Sequence, residues 1–221
     1  MKGSDLIKMV DMFCGTKSMS NVFELRGHDV LTIDWDEQHD PDICDNVLNL
    51  SANDILGFCG WDSIDYIHMS PDCTTYSIAA ISHHRNLDKS PKTEKAKLAD
   101  DVRKHIINII GELSPSYYTI ENPVGLMRKM PELIKLAKLN YHATVSYCQY
   151  GDKRKKPTDI WHNIPTLQLK PPCKNGASCH ESAPRGSKTG TQGLKGSVDR
   201  SKIPDQLCID VCIAVENALK Q

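Results

Sequence analysis

The placement of apolar residues constrains this chain more than any other feature of the sequence. Short apolar runs recur, each closed by turn residues: 6–12 before Cys14-Gly15, 29–33 before Asp34-Trp35-Asp36, 64–68 before Ser70-Pro71, and 117–120 before Glu121-Asn122-Pro123, with a further run at 141–147. Runs of this length bounded by turn signals predict strands. Helical patterns lie between them. The best spans 93–113, where Leu98, Val102, Ile106, Ile109 and Ile110 recur at spacings of three and four and Pro115 follows. Strands separated by helices require crossover connections, so the expected fold is α/β with a mostly parallel sheet. Such a sheet binds ligands outside the carboxyl ends of its strands. The unusual residues stand there: Cys14-Gly15, Asp34-Trp35, Pro71-Asp72-Cys73 and Glu121-Asn122-Pro123.

Composition narrows the class. With 221 residues, 39% hydrophobic and 25% charged, the chain can bury a core, and collagen-like or wholly disordered readings fail. No apolar run approaches the ~20 residues of a membrane span. Met1-Lys2-Gly3-Ser4-Asp5 lacks a signal-peptide pattern, and nine scattered cysteines are not a disulfide scaffold. A cytoplasmic monomer with free thiols and no membrane partner is expected. The net charge of -1 hides an asymmetry: residues 151–202 carry eleven Lys or Arg against four acids, and the remainder sixteen against twenty-four. A basic segment on an acidic body suits a polyanionic partner.

Residues 163–202 are rich in Pro, Gly, Ser, Thr and Lys and predict no regular element, whereas 204–219 return to helical spacing through Leu207, Val211, Ala214, Val215 and Leu219. The expected organisation is one domain over 1–162 and 200–221, with 163–199 as a small inserted region.

Cys73 follows a strand end and a proline, and Glu121 stands at the next strand end. A thiol and a carboxyl group in one crevice suit attack on an electrophilic ring that is protonated as it is attacked. Here the order of motifs resembles the cytosine-5 methyltransferase family, over nearly the whole chain outside 163–199. Asp11-Met12-Phe13-Cys14-Gly15-Thr16 resembles the family's glycine turn for S-adenosylmethionine. Ile33-Asp34-Trp35 is similar to the acidic residue that holds the ribose, followed by an apolar residue against adenine. Cys44-Asp45-Asn46-Val47 resembles the motif that meets the adenine amino group. Ser70-Pro71-Asp72-Cys73-Thr74 stands at the Pro-Pro-Cys-Gln nucleophile loop, and Ile120-Glu121-Asn122-Pro123 is similar to Glu-Asn-Val. The segment from Gln149 to Lys156 resembles Gln-x-Arg-x-Arg, and Ser201-Lys202-Ile203-Pro204 with Leu207 resembles the last motif.

The resemblance implies a Rossmann-like methyltransferase that uses S-adenosyl-L-methionine, bound through Asp11, Phe13, Gly15, Asp34, Trp35, Asp45, Asn46 and Pro71. It implies transfer to carbon 5 of cytosine in flipped-out DNA bases, with Cys73 adding to C6, Glu121 bonding the ring edge, and Arg154 as a candidate cation to help Cys73 ionise. Residues 75–92 read as a closing loop. The 163–199 insertion stands where the family carries its target-recognition region, and Arg185 and Lys188 there, with Arg85 and Lys156, are the expected nucleic-acid contacts. In its small size and these motifs the chain resembles compact phage-encoded members.

Several positions depart from the family pattern. Asp72 replaces a second proline, Thr16-Lys17-Ser18 follows Gly15 where a second glycine is common, Lys156 stands where an arginine is usual, and Arg200-Ser201 replaces Gly-Asn. Three other readings are compatible: a tRNA cytosine-5 methyltransferase, an enzyme with another pyrimidine target or alkyl donor, and a non-catalytic nucleic-acid binder. No metal site is expected. Cys173, Cys179 and His180, with Cys148 or His162 as a fourth, have an unusual spacing, and an adjacent Cys and His do not commonly share one tetrahedral ion.

Overall fold

The computed structural model describes residues 6–182 and 196–221. Among them, β1 (Lys8–Met12), β2 (Asp29–Asp34), β3 (Ile43–Cys44), β4 (Tyr66–Met69), β5 (Tyr117–Pro123), β6 (Tyr141–Ser146) and β7 (Pro157–His162) form one seven-stranded sheet in the order β3-β2-β1-β4-β5-β7-β6. Strand β7 runs antiparallel to β5 and β6, and the other pairings are parallel.

The central strands are buried on both faces, which is why their sequences read as nearly continuous apolar runs. Side chains alternate across the sheet. Val10, Met12, Ile33, Ile67 and Ile120 enter one core with α2 (Ala52–Cys59), α4 (Glu94–Leu113) and α5 (Pro131–Leu139). Met9, Tyr66, Val145 and Ile160 enter the other with α1 (Ser18–Leu25) and α7 (Asp205–Ala218). Two short helices, α3 (Ile81–His84) and α6 (Ser197–Ser201), lie in connecting segments. This is the mostly parallel, Rossmann-like α/β fold that the strand and helix pattern predicts, and no helix of the described residues is long and apolar enough to cross a membrane.

Two strands go unpredicted, each for a physical reason. At two residues, β3 is too short to show a period. Strand β7 opens on proline and buries Asp159, whose carboxylate would disqualify a core strand were it not bonded by Arg128 and by Thr144, 2.8 Å away. Pairing with β7 also carries β5 beyond Ile120, so Glu121 and Asn122 belong to the strand and not to the turn after it.

Helix α7 closes the fold through Glu216, whose carboxylate takes both arms of the Arg26 guanidinium at 2.7 Å and meets His28 Nε2 at 3.0 Å. The Arg26 bonds, with help from His28, lower the Glu216 pKa to about 2. The folded pKa lies below the unfolded one, so this stabilisation is complete above the ordinary carboxylate range and disappears as pH falls toward 2. Because Arg26 is partly exposed and screened, Glu216→Gln is expected to cost ~1–2 kcal/mol at neutral pH. In urea unfolding, the gap between variant and wild type should close as pH falls through the acidic range, whereas a constant gap would rule out the ion pair as its source.

Candidate functional site

The carboxyl ends of β1, β2 and β4 surround a cleft of about 860 Å³, within the size range of small-molecule sites. It lies where the strand order reverses between β1 and β4. Its first wall is the turn after β1. Phe13 and Cys14 donate their N–H groups to Ile33 O, at 2.8 and 3.1 Å. Gly15, at φ 47°, then turns its N–H onto Asp34 Oδ2 at 2.9 Å. Glycine takes that left-handed conformation without the Cβ penalty other residues meet.

Asp34 ends β2 and also accepts the Asp36 N–H at 3.0 Å, while the following Trp35 lies 73% exposed along the cleft. Asp45, Asn46 and Pro71 complete the expected lining. Asp11 stands deeper, beside an adjoining space of about 60 Å³ shared with Phe13, Gly15, His68 and Ser201. Its carboxylate bonds Ser20, and burial raises its pKa.

Cys73, after β4, and Glu121, on the neighbouring β5, stand beside this cleft, near enough for the Glu121 carboxylate to act on the thiol. The register of β4 on β5 pairs Met69 with Ile120, so Ser70 follows directly beside Glu121 and donates its hydroxyl to Oε2 at 2.7 Å. Tyr147, in the turn after β6, donates to Oε1 at 2.6 Å. Asn122 donates to Pro71 O at 2.9 Å and ties β5 to the loop that carries Cys73. Burial raises the Cys73 thiol pKa, and the carboxylates of Glu121 and Asp72 raise it further, against the opposing charge of Lys156. Asp72 accepts the N–H of Thr74 at 2.8 Å and faces Lys95 at 3.1 Å. Although burial opposes it, those partners keep its carboxyl below the ordinary range. Asp72 therefore fixes the turn after the cysteine and adds negative charge beside it.

The cations are distributed differently from expectation. Lys156, expected on nucleic acid, turns inward: its Nζ lies 3.9 Å from Glu121 Oε1 and 4.5 Å from the centre of the Tyr147 ring, with the side chain 11% exposed. Arg154, the expected helper of Cys73, is buried in an ion pair with Asp152 and donates to the carbonyls of Asp199, Arg200 and Lys202 at 2.9–3.2 Å. It clasps two chain segments together. Arg85 is also not a surface contact. It is buried with both guanidinium arms on Asp100 at 2.9 Å, over the Tyr76 ring, and pins the 75–92 loop to α4. Arg185 and Lys188 lie outside the described residues.

Ser70 and Tyr147 carried no signal as site residues, because only strand register and the return of β6 bring them to Glu121. Cys148, Cys173, Cys179 and His180, expected to hold no metal, gather into one cluster. His162 lies apart from it and accepts the Ile164 N–H at 3.2 Å.

No protein-family model matches the sequence, and a search of curated proteins gives no match. Among solved structures, a putative DNA modification methyltransferase encoded within an Escherichia coli prophage superposes with a TM-score of 0.54 at 19% identity, over 71% of this chain and 46% of that one. An Entamoeba histolytica methyltransferase superposes at 0.53 and 16% identity, over 76% and 57%. The chain shares its fold with these two structures. It spans about half the length of the structures it matches.

Two expectations come from this geometry. A Cβ at Gly125 would run into the Tyr76 carbonyl, which accepts the Leu126 N–H at 2.8 Å while Tyr76 N bonds Cys73 O at 3.1 Å. Gly125→Ala is therefore expected to displace the cysteine loop and destabilise the fold by ~1–3 kcal/mol in urea; an unchanged midpoint would show that the contact relaxes freely. Second, the thiolate of Cys73 forms only as pH rises through a raised pKa. Its alkylation by iodoacetamide, followed by peptide mass spectrometry, is expected to titrate above the ordinary thiol range, and Lys156→Met should move the curve further alkaline. A variant curve overlying the wild type would remove Lys156 from this role.

Proposed function

We propose that this chain is a DNA cytosine-5 methyltransferase that works through a transient bond between Cys73 and C6 of a flipped cytosine. The observation that carries the reading is a cysteine and a buried, hydrogen-bonded glutamate at adjacent strand ends, beside a cleft with the furniture of a nucleoside site. That cleft fits S-adenosyl-L-methionine: Trp35 offers an exposed aromatic face for adenine, Asp34 an acid for the ribose hydroxyls, Asp45 and Asn46 polar atoms at its rim, and Gly15 close backbone approach. Bound there, the cofactor supplies an electrophilic methyl group and, on its sulfonium, a positive charge that favours the thiolate.

The remaining steps belong to the protein. Cys73 gives up its proton and adds to C6, which makes C5 nucleophilic. Glu121, its oxygens oriented by Ser70 and Tyr147, takes up the proton that the thiol releases and donates it to ring N3 as electron density moves into the ring, while its other oxygen accepts from the exocyclic amine. Lys156 balances the charge of the buried carboxylate. After transfer, C5 loses its proton to a base and Cys73 leaves. A stacked base cannot present C6 to a thiol, so the DNA reading requires base flipping, which costs a few kcal/mol. The Lys- and Arg-rich 151–202 region, with Arg185 and Lys188, supplies charge to hold the backbone.

Random-sequence duplexes with 5-fluorocytosine, incubated with S-adenosyl-L-methionine, test the proposal, since fluorine at C5 blocks release. A denaturation-resistant adduct at Cys73 is expected, absent in Cys73→Ser. An adduct with fluorinated tRNA but not DNA would move the substrate to RNA. Cofactor binding with no adduct on either would leave a nucleic-acid binder.

A further inference from the structure

Outside the cleft, three thiols and one imidazole converge. Cys148 Sγ lies 3.2 Å from Cys173 Sγ, 3.6 Å from Cys179 Sγ and 4.0 Å from His180 Nδ1. His180 Nδ1 is 3.6 Å from both Cys173 Sγ and Cys179 Sγ, and all four atoms fall within 4.8 Å of one another. Zinc–sulfur bonds of about 2.3 Å and zinc–nitrogen bonds of about 2.0–2.1 Å place the donors of a tetrahedral site roughly 3.5–3.8 Å apart. Three of the separations, at 3.6 Å, fall in that range, and those at 3.2 and 4.0 Å lie within roughly half an ångström of it. A disulfide does not explain them, since its sulfurs sit about 2.05 Å apart and all four groups converge instead of two.

We propose that Cys148, Cys173, Cys179 and His180 bind one structural zinc ion. Three sulfurs and an imidazole nitrogen fill a tetrahedral shell, leaving no position for substrate or water, and a soft sulfur-rich set of this geometry selects zinc. The thiols release their protons to solvent as the ion binds, and three thiolates leave the centre one negative charge in excess. The surroundings answer that charge. Gln149 Nε2 donates to Cys179 Sγ at 3.4 Å, and Lys155, which bonds Asn175, adds positive charge near Cys173.

The adjacent Cys179 and His180 serve one centre because they sit in a turn, where successive side chains can point the same way; in a strand they would point to opposite faces. A second convergence, of His28, Cys212 and Glu216, offers no such site, because Arg26 occupies both oxygens of the carboxylate. At the Cys148 cluster the ligands join distant stretches of chain. Cys148 belongs to the turn that supplies Tyr147 to Glu121, and the other three come from the segment after β7. The ion would staple the 163–182 segment to the edge of the candidate site, alongside the bond from Cys173 N to Ser146 Oγ at 3.2 Å and that from Glu181 N to Lys153 O at 2.9 Å.

The test is elemental analysis of the full chain, purified under reducing conditions without chelator, alongside Cys173→Ala, Cys179→Ala and, as a control, Cys59→Ala. One zinc per chain is expected in the wild type and in Cys59→Ala, with loss in the two ligand variants. Cobalt(II) exchanged into the wild-type chain should give the visible absorption of a tetrahedral thiolate site, a readout that needs no variant to fold. A folded, reduced wild-type chain with neither zinc nor cobalt bands would overturn the proposal. So would a Cys148–Cys173 disulfide in protein isolated under reducing conditions. None of these readouts depends on methyl transfer, so the zinc site and the proposed function fail separately.

Discussion

A carboxylate buried at the end of β5 governs how the site is built. Taking an ion out of water costs several kcal/mol unless hydrogen bonds and an opposite charge replace hydration. Glu121 is 4% exposed, and its replacements come from three separate places: Ser70 after β4, Tyr147 after β6 and Lys156 before β7. Those three can meet only if β4, β5, β7 and β6 lie side by side in that order. The sheet order that places Glu121 also places Cys73, because Asn122 holds the cysteine loop through Pro71 and Gly125 leaves room for Tyr76.

Two cations near the site divide their work according to their chemistry. Arg154 spreads its planar donors over Asp152 and three backbone carbonyls, binding the 152–156 stretch to the segment before α7. Lys156 carries a compact charge on a flexible stem and reaches past the Tyr147 ring toward Glu121. A fork suits a clasp between backbones, and a point charge suits a buried carboxylate. A lysine at position 156 thus suits the inward role it takes. Asp72 is read similarly: it shapes the turn after Cys73 while raising the thiol's demand for nearby positive charge.

Much of this protein is legible without coordinates. Five strands, the long α4 and the last helix α7 follow from period and turn residues, which are local properties of the chain. The cleft is equally legible, because a doubly wound sheet opens at its carboxyl ends and Gly15, Asp34, Trp35 and Pro71 all fall there. Strand β7 is hidden, since its buried Asp159 looks polar until Arg128 is brought to it by the fold. The destinations of Arg85, Arg154 and Lys156 are hidden for the same reason: sequence gives a side chain its charge and length but not the partner that receives it.

Sequence alone determined the fold class, the end of the sheet where a cleft opens, and that a thiol and a carboxyl group stand at neighbouring strand ends. Tertiary structure decided which polar groups surround Glu121, which cation faces Cys73, and that three cysteines and a histidine from distant stretches share one centre. The division has a physical cause. Periodicity and turn chemistry act over a few neighbouring residues, whereas strand order and register bring together groups far apart along the chain, and burial then requires those groups to satisfy one another.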